Sequence, residues 1–142
     1  MNTTEIRRPS LAADVMTPWP VTIRPDAPVS VAIALMIRHR IRHLPVVDRR
    51  RNVLGMLSES DVLAAVGDVT SYYVNRHQLT EPELVVSDVT AGPVLVIGPH
   101  VPLDKIARTL VEHRLTALPI VDGFGSLLGV VSYVDVLRAL AM

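Results

Sequence analysis

Two rhythms of apolar residues alternate along this chain. From Val29 to His39, the apolar positions Ile33, Met36 and Ile37 share one face of a 3.6-residue period, which predicts an amphipathic helix. Pro25 and Pro28 punctuate the turn before it, and Pro28 suits a first helical position because its missing N–H has no intrahelical partner there. Leu44 to Val47 is a short, continuous apolar run of the kind that forms a buried strand, and Val53 to Leu57 predicts a second strand. The turn between them runs from Asp48 to Asn52 and carries Arg49, Arg50 and Arg51. Ser58 opens a second helix, Glu59 to about Val66. Ahead of all this stand a short segment, Leu11 to Met16, and an extended stretch, Val21 to Ile23. The order is β-α-β-β-α.

The same pattern then returns at one constant shift, through Leu95–Ile97, Leu103–His113, Leu118–Val121, Leu127–Val131 and Tyr133–Leu140. Asp14-Val15 recurs as Asp88-Val89, Pro25 and Pro28 as Pro99 and Pro102, and His39-Arg40 as His113-Arg114. Leu44-Pro45-Val46-Val47-Asp48 recurs as Leu118-Pro119-Ile120-Val121-Asp122, and Leu54-Gly55 through Ser58 as Leu128-Gly129 through Ser132. Asp61-Val62-Leu63 recurs as Asp135-Val136-Leu137. No gap is needed, and roughly one position in three is identical. Two copies are too few for a solenoid, so the expectation is a closed α+β pair, sheet packed to sheet with pseudo-twofold symmetry. The organisation expected is a mobile polar segment over 1–10, a repeat over 11–66, a linker over 67–87 and a repeat over 88–142. Tyr72, Tyr73 and Val74 make the linker partly apolar and suited to packing, and Pro82 interrupts it.

Composition narrows the chemistry. Nearly half the residues are apolar, so burial can drive folding without staples. The absence of cysteine excludes a disulfide scaffold, a thiolate metal site and a cysteine nucleophile, and fits a reducing compartment. Acidic and basic residues balance at 14 each, which argues against a broad nucleic-acid surface. The longest apolar stretch, Val29 to Ile37, is broken by Ser30 and falls far short of the roughly 20 residues that span a bilayer. Arg7-Arg8 lacks the apolar region that a twin-arginine leader needs. A cytoplasmic protein is expected.

Asp-Val-Met-Thr, then Val-Thr-Ile, then Arg-His-Leu-Pro-Val-Val-Asp, then Leu-Gly-Met-Leu-Ser-x-x-Asp-Val-Leu resembles the CBS domain. The second copy, with Ala-Leu-Pro-Ile-Val-Asp and Leu-Gly-Val-Val-Ser-x-x-Asp-Val-Leu, resembles it equally. The likeness covers about Leu11 to Ala141, and the chain is identified as a stand-alone CBS-domain pair, a Bateman module. That resemblance implies a ligand-sensing regulatory module rather than an enzyme. It implies two clefts that bind an adenosine-containing ligand (AMP, ADP, ATP or S-adenosylmethionine), assembly as a homodimer, and control of a separate effector protein. The competing expectation is a dimerising scaffold whose clefts stay empty.

Read locally, Ser58-x-x-Asp61 and Ser132-x-x-Asp135 are helix caps ahead of apolar runs. The resemblance adds a ligand role, in which Asp accepts from both ribose hydroxyls and Ser and the helix N-terminus face phosphate. It implies a cleft A of Ser58 and Asp61 with Thr90, Pro93, Leu95, Thr116 and Ala117, and a cleft B of Ser132 and Asp135 with Met16, Trp19, Val21, Arg42 and His43. Cleft B then holds a phosphorylated ligand more tightly, since Arg42 and His43 are cationic where Thr116 and Ala117 are not. The sequence departs from the family where Ser60 and Val134 stand in place of the Arg or Lys that many relatives carry.

His39 and His43 have the spacing of two metal ligands on a helix, but Leu44-Pro45 predicts that the helix ends first, so no metal is expected. His39 and His113 read as helix C-terminal residues favourable to the dipole, and Arg49–Arg51 as a solvated turn. No nucleophile, base and oxyanion site converge in the pattern. A homodimer is expected on the apolar positions Val29, Ala32, Leu35 and Met36, with Leu63 and Val66.

Overall fold

The computed structural model describes residues 11–67 and 83–141. The expected mobile segment over 1–10, the Arg7-Arg8 pair, the linker residues Tyr72, Tyr73 and Val74, and Pro82 lie outside the described residues. The elements in chain order are α1 (Ala12–Val15), β1 (Thr17–Pro18), α2 (Val29–His39), β2 (His43–Val47), β3 (Val53–Ser58), α3 (Glu59–Val66), α4 (Val86–Val89), α5 (Leu103–Glu112), β4 (Ala117–Val121), β5 (Leu127–Ser132) and α6 (Tyr133–Leu140). The class is α+β, with one two-stranded and one three-stranded sheet.

The described residues fold as two compact units, one lying between Pro20 and Val94 and one made of Leu11–Trp19 with the residues from Leu95 onward. In the first, the antiparallel β2–β3 hairpin carries α2 and α3. Val29, Ile33, Met36, Leu44, Val46, Leu57 and Val62 form its core. Val86 is fully buried in the same core, and α4 is tied in by Val86 N–H donating to the Ala27 carbonyl at 2.8 Å and Ser87 N–H to the Pro25 carbonyl at 2.9 Å. Val86 and Ser87, expected to close the linker, therefore open a helix.

The second unit mirrors this arrangement with β4–β5, α5 and α6 around Ile106, Leu110, Leu118, Ile120, Val131 and Val136. Its α1 comes from the chain's beginning. Ala12 is fully buried, and its N–H donates to the Val101 carbonyl at 2.9 Å. Each unit thus takes the short leading helix of the other repeat's sequence.

The stretches Val21–Ile23 and Leu95–Ile97, read as strands, form only single parallel bridges, Ile23 to Val46 and Ile97 to Ile120. Pro25 and Pro99 follow two residues on and have no N–H to extend the ladder. β1 was not foreseen: Thr17 and Pro18 pair antiparallel with Val130 and Gly129 on the open edge of β5. At both hairpin tips an aspartate side chain organises the turn. The Asp48 carboxylate accepts from Arg50 N–H at 2.8 Å and Asn52 N–H at 2.9 Å, as Asp122 does from Phe124 and Ser126. The left-handed position of the turn falls to Arg51 in one copy (φ 64°) and to Gly125 in the other (φ 86°).

Val29, Ala32 and Met36, proposed from sequence as a spare dimer face, are instead core residues of the first unit. A helix's own unit claims its strongest apolar stripe first. Apolar side chains exposed on the helices include Val31, Ile37 and Leu63, and in the second unit Val111, Leu137 and Leu140.

Candidate functional site

At the end of β3 the chain leaves the sheet and enters α3, and Ser58 sits at that junction in extended conformation. Asp61 N–H donates to Ser58 Oγ at 3.0 Å, and Ser58 N–H donates to Asp61 Oδ2 at 3.1 Å. This reciprocal box satisfies two backbone donors that a helix start would otherwise leave without partners. The second unit repeats it at the β5–α6 junction. Asp135 N–H donates to Ser132 Oγ at 3.2 Å, and Ser132 N–H and Oγ donate to Asp135 Oδ2 at 2.8 and 3.0 Å. The capping role read from sequence is therefore present in both copies. The copies differ in charge: Arg138 reaches Asp135 Oδ1 at 3.7 Å, whereas Ala64 stands at the matching place after Asp61.

The hairpins decide what lies beside each box. His43 faces Ser58 across the ladder, and Ala117 faces Ser132. Glu59 N–H donates to the Arg42 carbonyl at 2.8 Å, and Tyr133 N–H to the Thr116 carbonyl at 3.0 Å. The start of one strand must lie opposite the end of its hairpin partner. Arg42 and His43 therefore neighbour Ser58 and Asp61, and Thr116 and Ala117 neighbour Ser132 and Asp135. Within the first unit the cationic pair thus stands beside the Ser58 box.

Val21, Thr90 and Pro93 belong to the first unit with them, and Met16, Trp19 and Leu95 to the second. Val21 packs against the first unit's core, while Pro93 and Leu95 are exposed. Trp19 adopts φ 49°, unusual for a bulky side chain, with its N–H on the Leu128 carbonyl at 3.3 Å and its side chain 77% exposed.

Two glycines were quoted from sequence only as part of a motif, and both shape these surroundings. A methyl group on Gly55 would stand 2.8 Å from Thr90 Cγ2, and one on Gly129 would stand 2.6 Å from Met16 Sδ and 2.7 Å from the Thr17 carbonyl oxygen. The recurrence of Leu-Gly at the same place in both copies was the available signal, because a glycine inside a strand marks close approach of other chain.

His43 is half-buried, and its pKa is lowered from the usual value, first by burial and then by the charge of Arg42, with Asp61 and Glu59 acting in the opposite sense. The neutral imidazole is thus favoured at neutral pH. His39 closes α2 while His43 lies in β2, so the two do not share a helix face. Among the described residues no group of three His, Asp or Glu side chains is placed to hold a metal ion. No helix among the described residues is long and apolar enough to cross a membrane.

A Ser-x-x-Asp box at a strand-to-helix junction, set twice on two small sheets, defines a tandem α+β repeat module. Residues 12–68 and 86–142 match the CBS domain model, and the chain belongs to the CBS domain family. It is similar to CBSX2 from Arabidopsis thaliana; the crystal structure of CBSX2 in complex with AMP is 28% identical, with a TM-score of 0.77 over 92% of this chain and 96% of that one. The CBS domain pair of protein MJ0100, in complex with 5'-methylthioadenosine and S-adenosyl-L-methionine, has the same fold at 21% identity, with a TM-score of 0.78 over 92% of this chain and 95% of that one. L-aspartate semialdehyde sulfurtransferase from Methanocaldococcus jannaschii is 22% identical over 129 residues, which are 91% of this chain and 23% of that protein. The chain thus spans about a quarter of that relative's length.

Proposed function

We propose that this chain is a regulatory module that binds an adenosine-containing ligand at its Ser-x-x-Asp boxes and passes the bound state to a separate protein. AMP, ADP, ATP and S-adenosylmethionine are the candidate ligands. The observation that carries the reading is the duplicated box itself: Asp61 and Asp135 are held half-buried at helix N-termini in a chain that resembles an AMP-bound CBS pair. A carboxylate in that place can accept from both hydroxyls of a ribose, and the adjacent N–H groups favour an anion. The module works by binding rather than by turnover. The first unit's box, with Arg42 and His43 beside it, suits a phosphorylated ligand better than the second, where Asp135 already has Arg138 and the neighbours are Thr116 and Ala117.

A thermal-shift panel with the four ligands tests this. A ligand that binds only the folded chain raises its melting temperature by mass action. Asp61→Ala and Asp135→Ala should each weaken binding by about 1.5–3 kcal/mol, the size of a lost charge-assisted hydrogen bond. The lost cap itself should cost only about 1 kcal/mol of stability. No shift with any ligand, or shifts unchanged in the folded double variant, would leave the ligand-free scaffold as the better reading.

A further inference from the structure

We propose that the tip of the first unit's β2–β3 hairpin docks an acidic segment of a partner protein, held by the guanidinium groups of Arg24, Arg49, Arg50 and Arg51. Arg49, Arg50 and Arg51 follow one another in the turn that joins β2 to β3. Arg24 is brought beside them by the parallel bridge of Ile23 to Val46, where Val47 N–H donates to the Ile23 carbonyl at 2.9 Å. Arg24, Arg49 and Arg50 are exposed and Arg51 is half-buried. The second copy carries none of this charge. At the constant shift of the repeat, Gly98 stands for Arg24, and Gly123, Phe124 and Gly125 stand for the three turn arginines. The hairpin can therefore close without arginine, and folding alone does not account for four of them at one tip.

The turn is fixed before any partner arrives. Asp48 N–H donates to the Asn52 carbonyl and Arg51 N–H to the Asp48 carbonyl, both at 3.0 Å. The Asp48 carboxylate accepts from Arg50 N–H, Asn52 N–H and Asn52 Nδ2. These bonds, that of Asn52 N–H first, and the charge of Arg24 hold its carboxyl below the usual range. Asp48 thus stays ionised and offsets one of the four positive charges; Asp26, two residues after Arg24, offsets at most one more. Arg51 adopts φ 64°, left-handed backbone where the second copy has Gly125. A side chain in that conformation costs strain that glycine avoids, and such an outlier points to work done by the side chain.

Chemistry selects the occupant. A guanidinium forks two N–H bonds onto a carboxylate, and clusters of arginine recognise acidic motifs. A peptide is small enough to engage a single turn. Nucleic acid calls for a wider basic face or for aromatic platforms among the cations, and here the charge is confined to one turn with Asp26 and Asp48 in its midst. An anionic membrane calls for an apolar anchor beside the charge, and Asp48–Asn52 holds no apolar residue. β2 is five residues long, so at about 3.3 Å per residue the tip stands roughly 15–20 Å from His43 and Ser58. A segment docked there leaves the Ser58 box open. This inference rests on the reading that the module acts on a separate protein, and not on which ligand it binds.

The test measures fluorescence anisotropy of a labelled oligoglutamate peptide with the full chain at low salt, beside oligoserine of the same length, a short DNA duplex and vesicles containing phosphatidylserine. Saturable binding of oligoglutamate, tighter than that of the other three probes and weakened by added salt, is the expected result. Arg49→Glu with Arg50→Glu should weaken it at least about tenfold and should bind an oligolysine peptide instead, as attraction turns to repulsion. The combined variant Arg49→Gly, Arg50→Phe and Arg51→Gly should lose binding yet remain folded by circular dichroism, because the second hairpin already closes on Gly123-Phe124-Gly125. Lys105→Glu, at an exposed cation of the second unit, should leave binding intact. No saturable binding, equal binding in the tip variants, or stronger tip-dependent capture of DNA or vesicles would overturn the proposal. So would a salt-sensitive dimer broken by the tip variants, which would make a second copy the occupant. Melting shifts with adenosine ligands but no peptide binding would count against the tip alone, and peptide binding with a flat thermal-shift panel against the adenosine reading alone.

Discussion

At the residue scale, His43 is the clearest case of environment overriding type. Burial beside Ser58 and the charge of Arg42 disfavour its protonated form more than Asp61 and Glu59 restore it. Its folded pKa lies below the unfolded one, so the unfolded chain holds more protons as pH falls through the ordinary histidine value of about 6.5. Stability attributable to this side chain is therefore full at higher pH and lost as the solution is acidified through that window. The melting temperature should fall between neutral pH and about pH 5.5, and His43→Gln should flatten that part of the curve. An unchanged profile in the variant would mean that other groups carry the dependence. A phosphorylated ligand at the Ser58 box would raise the His43 pKa again, so binding there should take up protons below neutral pH. Sequence alone identified His43 as a candidate, and its place opposite Ser58 came from strand pairing across the hairpin.

At the scale of elements, the repeat predicts its own equivalents well, and the exceptions have steric causes. Helices α2, α3 and α6 begin and end where the apolar period, Ser58 and Ser132 place them. The short stretches before Pro25 and Pro99 stop at single bridges because proline cannot continue a ladder. β1 could not be read from the chain, since two residues, Thr17 and Pro18, have no periodicity to detect. Its presence is explained by Gly129, whose missing side chain admits Met16 and Thr17. The two strand glycines should consequently differ on substitution. Gly129→Ala meets the Thr17 carbonyl, a backbone atom with little room to yield, and should cost about 1–3 kcal/mol. Gly55→Ala meets only the methyl end of Thr90 and should cost less. Urea unfolding of the two variants compares them directly; equal losses would show that β1 does not constrain the second unit.

For the whole molecule, the exchange of leading helices sets what can fold alone. A fragment of residues 20–94 contains every residue of the first unit's core, whereas 11–67 lacks Val86, which is fully buried against Val29 and Leu44. Removing that side chain forfeits about 1.5–3 kcal/mol of burial before Leu84 and Val89 are considered, a large part of what a small unit has. Residues 20–94 should therefore unfold cooperatively on their own, and 11–67 should not. Cooperative unfolding by circular dichroism in the shorter piece would show the sequence repeat to be the folding unit after all. We also propose a homodimer, now on a different surface from the one the apolar pattern suggested. Val111, Leu137 and Leu140 are 77%, 58% and 55% exposed, and the Asp104–Arg108 pair nearby offers both signs of charge to a second copy. Sedimentation should give a dimer that Val111→Asp shifts to monomer; a monomeric native chain would remove the proposal.

The amino-acid sequence by itself determined the duplication, the family, the four longer helices, both hairpins and the two Ser-x-x-Asp boxes, because each depends on local periodicity or on residues three apart in the chain. Tertiary structure alone decided which leading helix completes which core, that Arg42 and His43 stand beside Ser58 within the first unit, and that Val29, Ala32 and Met36 are interior while Ile37 and Val111 are not. These depend on pairing between segments far apart in sequence. In a duplicated chain either copy of a segment carries nearly the same pattern, so periodicity cannot choose between them, and the choice falls to packing: which side chain fills which core, and where a glycine leaves room for another strand.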